Sequence, residues 1–199
     1  MAPRIDELLA HIAQLEREVE AELNEARQQW RYRIETGRIR FERDVRLAHS
    51  RLKRSLPRFF RESSPRSLLS APFIYSMIVP IGLLDLWISL YQAVCFPLYG
   101  IAHVRRSSYI VIDRQHLGYL NAVEKLNCVY CGYANGVFAY VREIAGRTEQ
   151  YWCPIRHAKR VRAPHLHYRE FVDYGDAQAY LRELPVLRSK LKKREEIDS

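Results

Sequence analysis

An apolar block from Leu68 to Val104 constrains this chain more than any other feature of its sequence. Besides tyrosine and cysteine, Asp85 and His103 are the only ionisable residues of the block. As one helix the block would extend about 55 Å at 1.5 Å per residue, whereas the hydrocarbon core of a bilayer is roughly 30 Å thick. A single straight span therefore does not use the whole block.

The middle of the block contains Gly82 and Asp85, and its two halves are interrupted by Pro72, Pro80 and Pro97. Because proline disrupts helices from within and glycine favours turns, we expect a helical hairpin that turns between Gly82 and Asp85. Each arm would be short for a complete span. Residues 67–104 are therefore predicted to form a membrane hairpin or a re-entrant segment, and the alternative is a buried hairpin inside a soluble protein.

Basic residues flank the block, with Arg58, Arg61 and Arg66 before it and Arg105 and Arg106 after it. Arginine next to membrane segments favours the cytoplasmic side and is attracted to anionic lipid. We therefore predict that residues 57–66 are a basic juxtamembrane connector. We also predict that both termini face the cytoplasm at the inner (cell) membrane.

The net charge of +9 is unevenly distributed along the chain. Residues 1–26 carry a net charge of −5, and residues 27–66 carry +9. Such a basic stretch needs an anionic partner, either lipid or nucleic acid. We expect lipid and not nucleic acid, because the stretch runs directly into the apolar block and contains no recognisable nucleic-acid-binding fold.

Apolar residues near the N-terminus alternate at spacings of three and four. They are Ile5, Leu8, Ile12, Leu15 and Val19. This heptad period places them on one seam of a helix. Proline is absent between Pro3 and Pro57, so we predict that residues 1–56 form one long amphipathic or coiled-coil helix, with Gly37 its weakest point. The seam would bind a second copy or a partner protein, or pack on later helices of the same chain.

Residues 105–188 are predicted to form a small helical domain in the cytoplasm, followed by a charged tail at 189–199. Apolar spacing predicts one helix at 116–126 and a second from Gly136 to about Trp152. The fold class is therefore mainly α, with a long amphipathic helix, an apolar membrane hairpin and a small C-terminal domain for which a metal is a candidate staple.

A last helix is expected through Leu181, Leu184 and Leu187, and Asp173 or Asp176 is placed to cap it. Both aspartates precede the first apolar residue of the pattern.

Three of the four cysteines lie between Asn127 and His157. Met1 to Val19 is charged throughout and does not resemble a signal peptide, so we expect these cysteines to stay in a reducing compartment. In that setting, cysteines with a nearby histidine favour metal or redox chemistry over a structural disulfide.

We predict a zinc site made by Cys128, Cys131, Cys153 and His157. Their C-x-x-C and C-x-x-x-H spacings suit a tetrahedral Cys3His centre, and an iron-sulfur centre is the alternative. His165 and His167 are alternative ligands. The site requires a fold-back near Gly146, because a straight helix would separate Cys131 from Cys153 by about 33 Å.

Two other interpretations of the cysteines stay open. Cys128 and Cys131 could form a redox dithiol whose thiolates are favoured by the N-terminus of the following helix. Alternatively, they are small packing residues without chemistry, as we expect for Cys95. The sequence lacks G-x-S-x-G, P-loop, G-x-G-x-x-G and H-E-x-x-H motifs, and we expect Glu124, Glu143 and Glu149 to be solvated or ion-paired.

The knuckle C-x-x-C-G-Y at 128–133 resembles those of rubredoxin and zinc-ribbon proteins. The longer run from Glu124 to His157 resembles a stretch of uncharacterised bacterial membrane-associated proteins, which implies a bacterial origin and a membrane setting and no activity. Taken together, the sequence predicts a membrane-anchored interaction or scaffold protein that performs no reaction of its own. The alternative is a membrane-bound oxidoreductase that uses the C-x-x-C thiols or iron.

Overall fold

The computed structural model describes residues 11–12, 14–15, 17–25, 32–35, 38–41 and 43–193. Its elements are β1 (Tyr32–Glu35), β2 (Arg38–Phe41), α1 (Arg43–Arg51), α2 (Leu56–Glu62), α3 (Pro65–Ser76), α4 (Ile78–Tyr99), α5 (Arg106–Tyr109), α6 (Ala122–Trp152) and α7 (Ala177–Lys193). Short 3-10 helices cover Arg114–His116 and Leu166–Glu170. The mainly helical class is confirmed.

The predicted single helix over 1–56 is wrong. Residues 17–25 are helical, but β1 and β2 follow and pair antiparallel, with Tyr32 opposite Phe41 and Glu35 opposite Arg38. The reason is visible in the sequence, because apolar and polar residues alternate along Tyr32–Glu35 and Arg38–Phe41 with the period of a strand. Gly37, the predicted weak point, lies outside the described residues.

The chain divides into two compact units, which we describe separately. The first consists of Met1–Glu62 with Asp113–Leu126, and the second of Ser63–Ile112 with Asn127–Ser199.

In the first unit, the start of α6 is fixed by a reciprocal cap. The side-chain Oδ1 of Asn121 accepts hydrogen bonds from the N–H groups of Val123 and Glu124, both at 3.0 Å. In return, Glu124 Oε2 accepts from the Asn121 N–H at 2.9 Å, which completes a capping box. Glu124 Oε1 also pairs with Arg54 at 2.5 Å. The ion-paired role expected for Glu124 is therefore confirmed.

The connector predicted at 57–66 is largely helical. Pro57 lies in the first turn of α2, and Pro65 is the first residue of α3, with the Ser64 side chain accepting from the Arg66 N–H. Proline is tolerated in a first turn because its missing N–H has no helical partner there. These two prolines therefore begin helices and do not disrupt them.

In the second unit, the apolar block forms two nearly continuous helices, α3 and α4, with only Met77 between them. Met77 itself keeps a right-handed helical backbone, with φ −63° and ψ −15°. Pro80 explains the small interruption, because its ring would clash with the carbonyl of Ser76 in an unbroken helix. The predicted hairpin turn is wrong, since Gly82 and Asp85 lie inside α4.

The chain reverses after α4 at Gly100, whose φ of 64° is left-handed. Residues 101–112, which we call the return segment, then run back beside α4 and reach α6. Along α6, a Cβ at Gly136 would lie 2.8 Å from Ile110 Cα, and a Cβ at Gly132 would lie 3.3 Å from the Val111 carbonyl oxygen. Glycine at these positions allows the return segment to lie directly on the helix.

Helix α6 is continuous over its 31 residues. The predicted interruption between Leu126 and Gly136 is therefore wrong, although the predicted end at Trp152 is confirmed. After α6, a parallel bridge joins Ile155 to Val172, and α7 follows with Asp176 capping it through a 2.8 Å bond from the Ala179 N–H. Helix α7 continues to Lys193, into the predicted tail.

Two clusters form the core of the second unit. The larger contains Phe96, Ile101, Val104, Tyr140, Ile144 and Leu191, and the smaller contains Ile81, Ala134 and Val137. These residues come from α4, the return segment, α6 and α7. Burying this apolar surface holds the four elements together.

Candidate functional site

The four predicted metal ligands are distributed along and beyond α6. Cys128 and Cys131 lie inside the helix, and Cys153 follows its last residue, with its N–H still bonded to the Glu149 carbonyl at 2.7 Å in the helical pattern. Cys153 lies 22 positions after Cys131, which corresponds to about 33 Å of helix at 1.5 Å per residue.

The structure does not bring these four residues together. In the described part of the chain, no three His, Cys, Asp or Glu side chains are grouped so that they could share a metal ion. The His157 ring instead stacks on Tyr168, with ring centroids 6.1 Å apart. The physical reason is that α6 runs straight through Gly146, where the Cys3His site needed a fold-back. The zinc prediction therefore has no support in this arrangement.

The dithiol alternative also loses part of its basis. Cys128 lies seven residues after the capping Asn121, so neither it nor Cys131 belongs to the first turn of α6. The favourable field of a helix N-terminus fades beyond the first turn. Both cysteines are free thiols, as are Cys95 and Cys153.

The separation of Cys131 and Cys153 can be measured directly. Both residues are exposed and can carry spin labels in a chain with Cys95 and Cys128 changed to Ser. We expect pulsed electron paramagnetic resonance to give a distance distribution between the labels centred near 33 Å. A distance below about 20 Å would show that α6 folds back and would restore the closed metal site.

The polarity of α4 is reversed relative to a helix on the surface of a soluble protein. Every one of its exposed residues is apolar: Ile78, Val79, Pro80, Leu83, Leu86, Trp87, Leu90, Ala93, Val94, Pro97 and Leu98. Its most polar residues, Asp85 and Gln92, are buried. We call the exposed set the α4 stripe. A polar inner face with an apolar outer face is typical of helices that contact lipid.

Asp85 is held by two groups from other parts of the second unit. Arg106 binds it with both arms of its guanidinium, Nε to Oδ1 at 2.9 Å and Nη2 to Oδ2 at 2.5 Å. The Tyr133 hydroxyl donates to Oδ2 at 2.8 Å. This bidentate geometry is the strong form of an ion pair. It anchors the return segment to α4 and gives the buried Asp85 carboxylate its polar partners.

Gln92, two turns after Asp85 on α4, also binds the return segment. Its Nε2 donates to the Tyr140 hydroxyl at 2.6 Å and to the Val104 carbonyl at 3.2 Å, while its Oε1 accepts from the Val104 N–H at 2.8 Å. The buried Gln92 side chain therefore satisfies both the N–H and the carbonyl of Val104, which lies outside any helix.

A second buried polar cluster joins α6 to the 3-10 helix that follows it. His167 contacts Glu143 Oε1 through Nε2 at 2.9 Å and Gln150 Oε1 through Nδ1 at 2.8 Å. Arg147 donates from Nε to the same Glu143 oxygen at 2.8 Å and from Nη1 to the Ala102 carbonyl at 2.8 Å. We call Glu143, Arg147, Gln150 and His167 the α6 cluster.

The hydrogen-bond pattern assigns donors and acceptors within this cluster. Gln150 Nε2 donates to the Leu187 carbonyl, which can only accept, so Gln150 Oε1 must accept from His167. His167 therefore donates from Nδ1, and its Nε2 faces the Glu143 carboxylate at 2.9 Å. Burial would raise the pKa of Glu143, but hydrogen bonds and charge from His167 and Arg147 lower it to about 2.

The α6 cluster links several elements of the second unit. His167 and Gln150 are almost completely buried. Their partners lie on α6, the return segment and α7, and the cluster therefore ties these elements together. The sequence analysis missed this structural role for His167, which it considered as a metal ligand. It also missed the part that Glu143 has in the cluster. The ion pairing expected for Glu143 is confirmed.

The arginines predicted to contact lipid occupy different settings. Arg58 and Arg61 are exposed in α2 and Arg66 is exposed in α3, but Arg58 pairs with Glu62 at 2.6 Å. Arg106 does not lie beyond the end of the apolar block, because the reversal at Gly100 brings it back to Asp85. The prediction that arginines flank the apolar block at both ends therefore holds only for its N-terminal end.

The N-terminal seam is described only in part. Ile5 and Leu8 lie outside the described residues, whereas Leu15 and Val19 are exposed. At these last two positions the seam does not pack on later helices of the same chain. Binding of a second copy or of a partner through the seam stays a prediction.

Within the described residues, one helix, Pro65–Tyr99, is long and apolar enough to cross a membrane. Comparison with known proteins gives no further identification: no family model, curated protein or solved structure matches the chain. The resemblance of Glu124 to His157 to bacterial membrane-associated proteins therefore stays a prediction.

Proposed function

We propose that this chain is a membrane-anchored interaction protein of the inner membrane. The α4 stripe contacts the acyl chains of the lipid, and the domain built on α6 and α7 stays at the cytoplasmic surface. The observation that carries the proposal is the reversed polarity of α4, in which all exposed residues are apolar while Asp85 and Gln92 are buried.

An exposed apolar face with buried polar residues has no physical reason on a helix at the surface of a soluble protein. Its surface helices bury their leucines and expose their polar residues, because apolar surface is stabilised by leaving water. The stripe runs from Ile78 to Leu98, which corresponds to about 30 Å of helix. An uninterrupted apolar surface of this length marks a protein or membrane contact. Its continuation in α3 through Leu69 and Phe73, both exposed, extends the same surface.

Two further features support the cytoplasmic side and an interaction role. Arg61 and Arg66 are exposed shortly before or within the apolar helices, where arginine favours the cytoplasmic leaflet and its anionic lipid. The exposed Leu15 and Val19 supply an apolar helix face for a partner protein or a second copy.

The stripe can be tested by adding charge to it. We expect the double change Leu83→Asp and Leu90→Asp, two turns apart on the stripe, to lower partitioning of the full chain into phosphatidylethanolamine and phosphatidylglycerol vesicles about 150-fold or more. The reason is the lost transfer free energy of two leucines, about 1.5 kcal/mol or more each when fully buried. Flotation of the vesicles on a density gradient measures the bound fraction.

A matched control changes exposed apolar residues elsewhere. Leu181 and Val186 in α7 are also exposed, so Leu181→Asp with Val186→Asp adds the same charge outside the stripe and should leave flotation unchanged. Helical circular dichroism should be equal in all three proteins. Equal flotation of the two double variants would show that the stripe is not the lipid contact.

A further inference from the structure

The direction of α4 relative to a membrane follows from what is packed behind it. Contacts at four levels show that α6 accompanies the apolar helices in parallel, from one end to the other. They are Tyr75 with Asn127, Asp85 with Tyr133, Gln92 with Tyr140 and Tyr99 with Tyr151. If α4 crossed a bilayer, α6 would have to cross beside it.

The return segment makes such a crossing unfavourable. It lies at mid-length of α4, where Arg106 binds Asp85 and Val104 binds Gln92. Beside these contacts, Arg105 and Ser107 are exposed, and the Arg106 side chain keeps 49% of its surface accessible. A crossing orientation would place these polar groups, on a largely non-helical backbone, near the centre of the hydrocarbon. Exposed charge and irregular backbone are not tolerated there.

The apolar and polar sides of the unit lie on opposite faces of α4. Leu83 and Leu90 each precede a buried polar residue, Asp85 and Gln92, by two positions. At 3.6 residues per turn, two positions correspond to about 200° around the helix. The stripe therefore points away from the return segment along the whole of α4.

We propose that α4 lies along a single leaflet, parallel to the membrane plane, and does not cross. This inference rests on the proposed membrane anchoring and specifies its geometry. The stripe enters the upper acyl region, while Arg105 and Arg106 stay with headgroups and water. Both ends of the apolar helices are then on one side, without any hairpin.

Phospholipid is the occupant we propose for the stripe, and not a second copy of the chain. A contact between protein copies has a polar rim that exchanges with water, whereas all eleven exposed residues of α4 are apolar. The basic charge of the chain, +9 overall, adds attraction to an anionic leaflet.

Trp87 is a native probe of depth, because it is exposed in the stripe near the middle of α4. In a full-length chain with Trp30→Phe and Trp152→Phe, we expect strongest fluorescence quenching by lipids brominated near the headgroup end of the acyl chain. In a crossing helix Trp87 would lie near the bilayer centre, and lipids brominated near the terminal methyl would quench it most.

A second measurement reports sidedness. Single cysteines replace Ser64 or His103, at the two ends of the apolar helices, in a chain whose four native cysteines are Ser. We expect both to react with a membrane-impermeant maleimide added outside the vesicles, as they do in detergent. Protection of one end until detergent is added, together with deep quenching of Trp87, would show a crossing helix and overturn the in-plane proposal while leaving the membrane anchor intact.

Two other outcomes are distinguishable from this one. Failure of the full chain to float with vesicles would remove the membrane anchor itself, and the in-plane proposal with it. A doubled mass in solution that reverts to the monomer mass in Leu83→Asp with Leu90→Asp would show that a second copy covers the stripe, which also overturns the proposal.

Discussion

Changing Glu143 to Ala should destabilise the second unit by about 3–5 kcal/mol. The change removes the carboxylate that lies between the Arg147 guanidinium and the His167 ring, both almost completely buried. Removing one partner of a buried ion pair costs this much because the remaining charge keeps its desolvation penalty. Urea unfolding in mild detergent, followed by circular dichroism, measures the loss.

Glu149 provides the matched control on the same helix. It pairs with His165 at 2.8 Å, but its side chain is 35% exposed. A partly exposed pair contributes about 1 kcal/mol or less. We therefore expect Glu149→Ala to change the unfolding midpoint only slightly. Equal losses in the two variants would mean that the α6 cluster is not a buried ion-pair network.

The same cluster predicts how stability depends on pH. The pKa of Glu143 is about 2 in the folded chain, against 4.5 in the unfolded chain. As pH falls below 4.5, the unfolded state takes up the proton first, so this contribution to stability is complete above pH 4.5 and is lost towards pH 2. Glu143→Gln removes the titrating group, and its stability should decline less between these pH values.

Sequence patterns predicted the elements whose evidence is local. The apolar spacing that ends at Trp152 and the cap at Asp176 both depend on residues within one or two turns, and both are confirmed. The strands at Tyr32–Glu35 and Arg38–Phe41 were missed, although their alternation was visible, because the lack of proline favoured one long helix.

Two errors, at Asp85 and at His167, share a physical cause: a partner far away in the sequence determines the role of each residue. Asp85 indicated a turn in an apolar block, but Arg106, 21 residues later, pairs with it inside a helix. His167 had the character of a metal ligand, but Glu143 lies 24 residues earlier and binds it. No local pattern shows such pairings.

Glycines in α6 gave a signal that the sequence interpretation used wrongly. Glycine inside a helix costs about 1 kcal/mol relative to alanine, so Gly132, Gly136 and Gly146 within one helix need a reason. Helix breaks were expected at the last two. The structure shows instead that each allows a close approach, by the return segment at Gly136 and by His165 and His167 at Gly146.

Gly136 is accordingly the position where a single methyl group should do the most damage to the return segment. An alanine Cβ there would lie 2.8 Å from both Ile110 Cα and the Tyr109 carbonyl oxygen. Both are backbone atoms that cannot rotate away, so the segment has to move off α6. Overpacking of this kind costs typically 1–3 kcal/mol, and we expect Gly136→Ala to reach about 3 kcal/mol.

A graded series of glycine variants makes this prediction specific. At Gly132 the nearest contact of an added Cβ is 3.3 Å, and at Gly82 it is 3.9 Å, to the Tyr133 hydroxyl. Gly132→Ala should therefore destabilise mildly, and Gly82→Ala should be neutral or stabilising by about 1 kcal/mol through helix propensity.

Amide hydrogen exchange distinguishes detachment of the return segment from α6 from unfolding of the whole unit. In Gly136→Ala, we expect the protected N–H of Val104, bonded to Gln92, to exchange at least tenfold faster while the middle of α6 stays protected. Unchanged exchange at Val104, with ordinary stability, would show that the return segment does not depend on contact with Gly136.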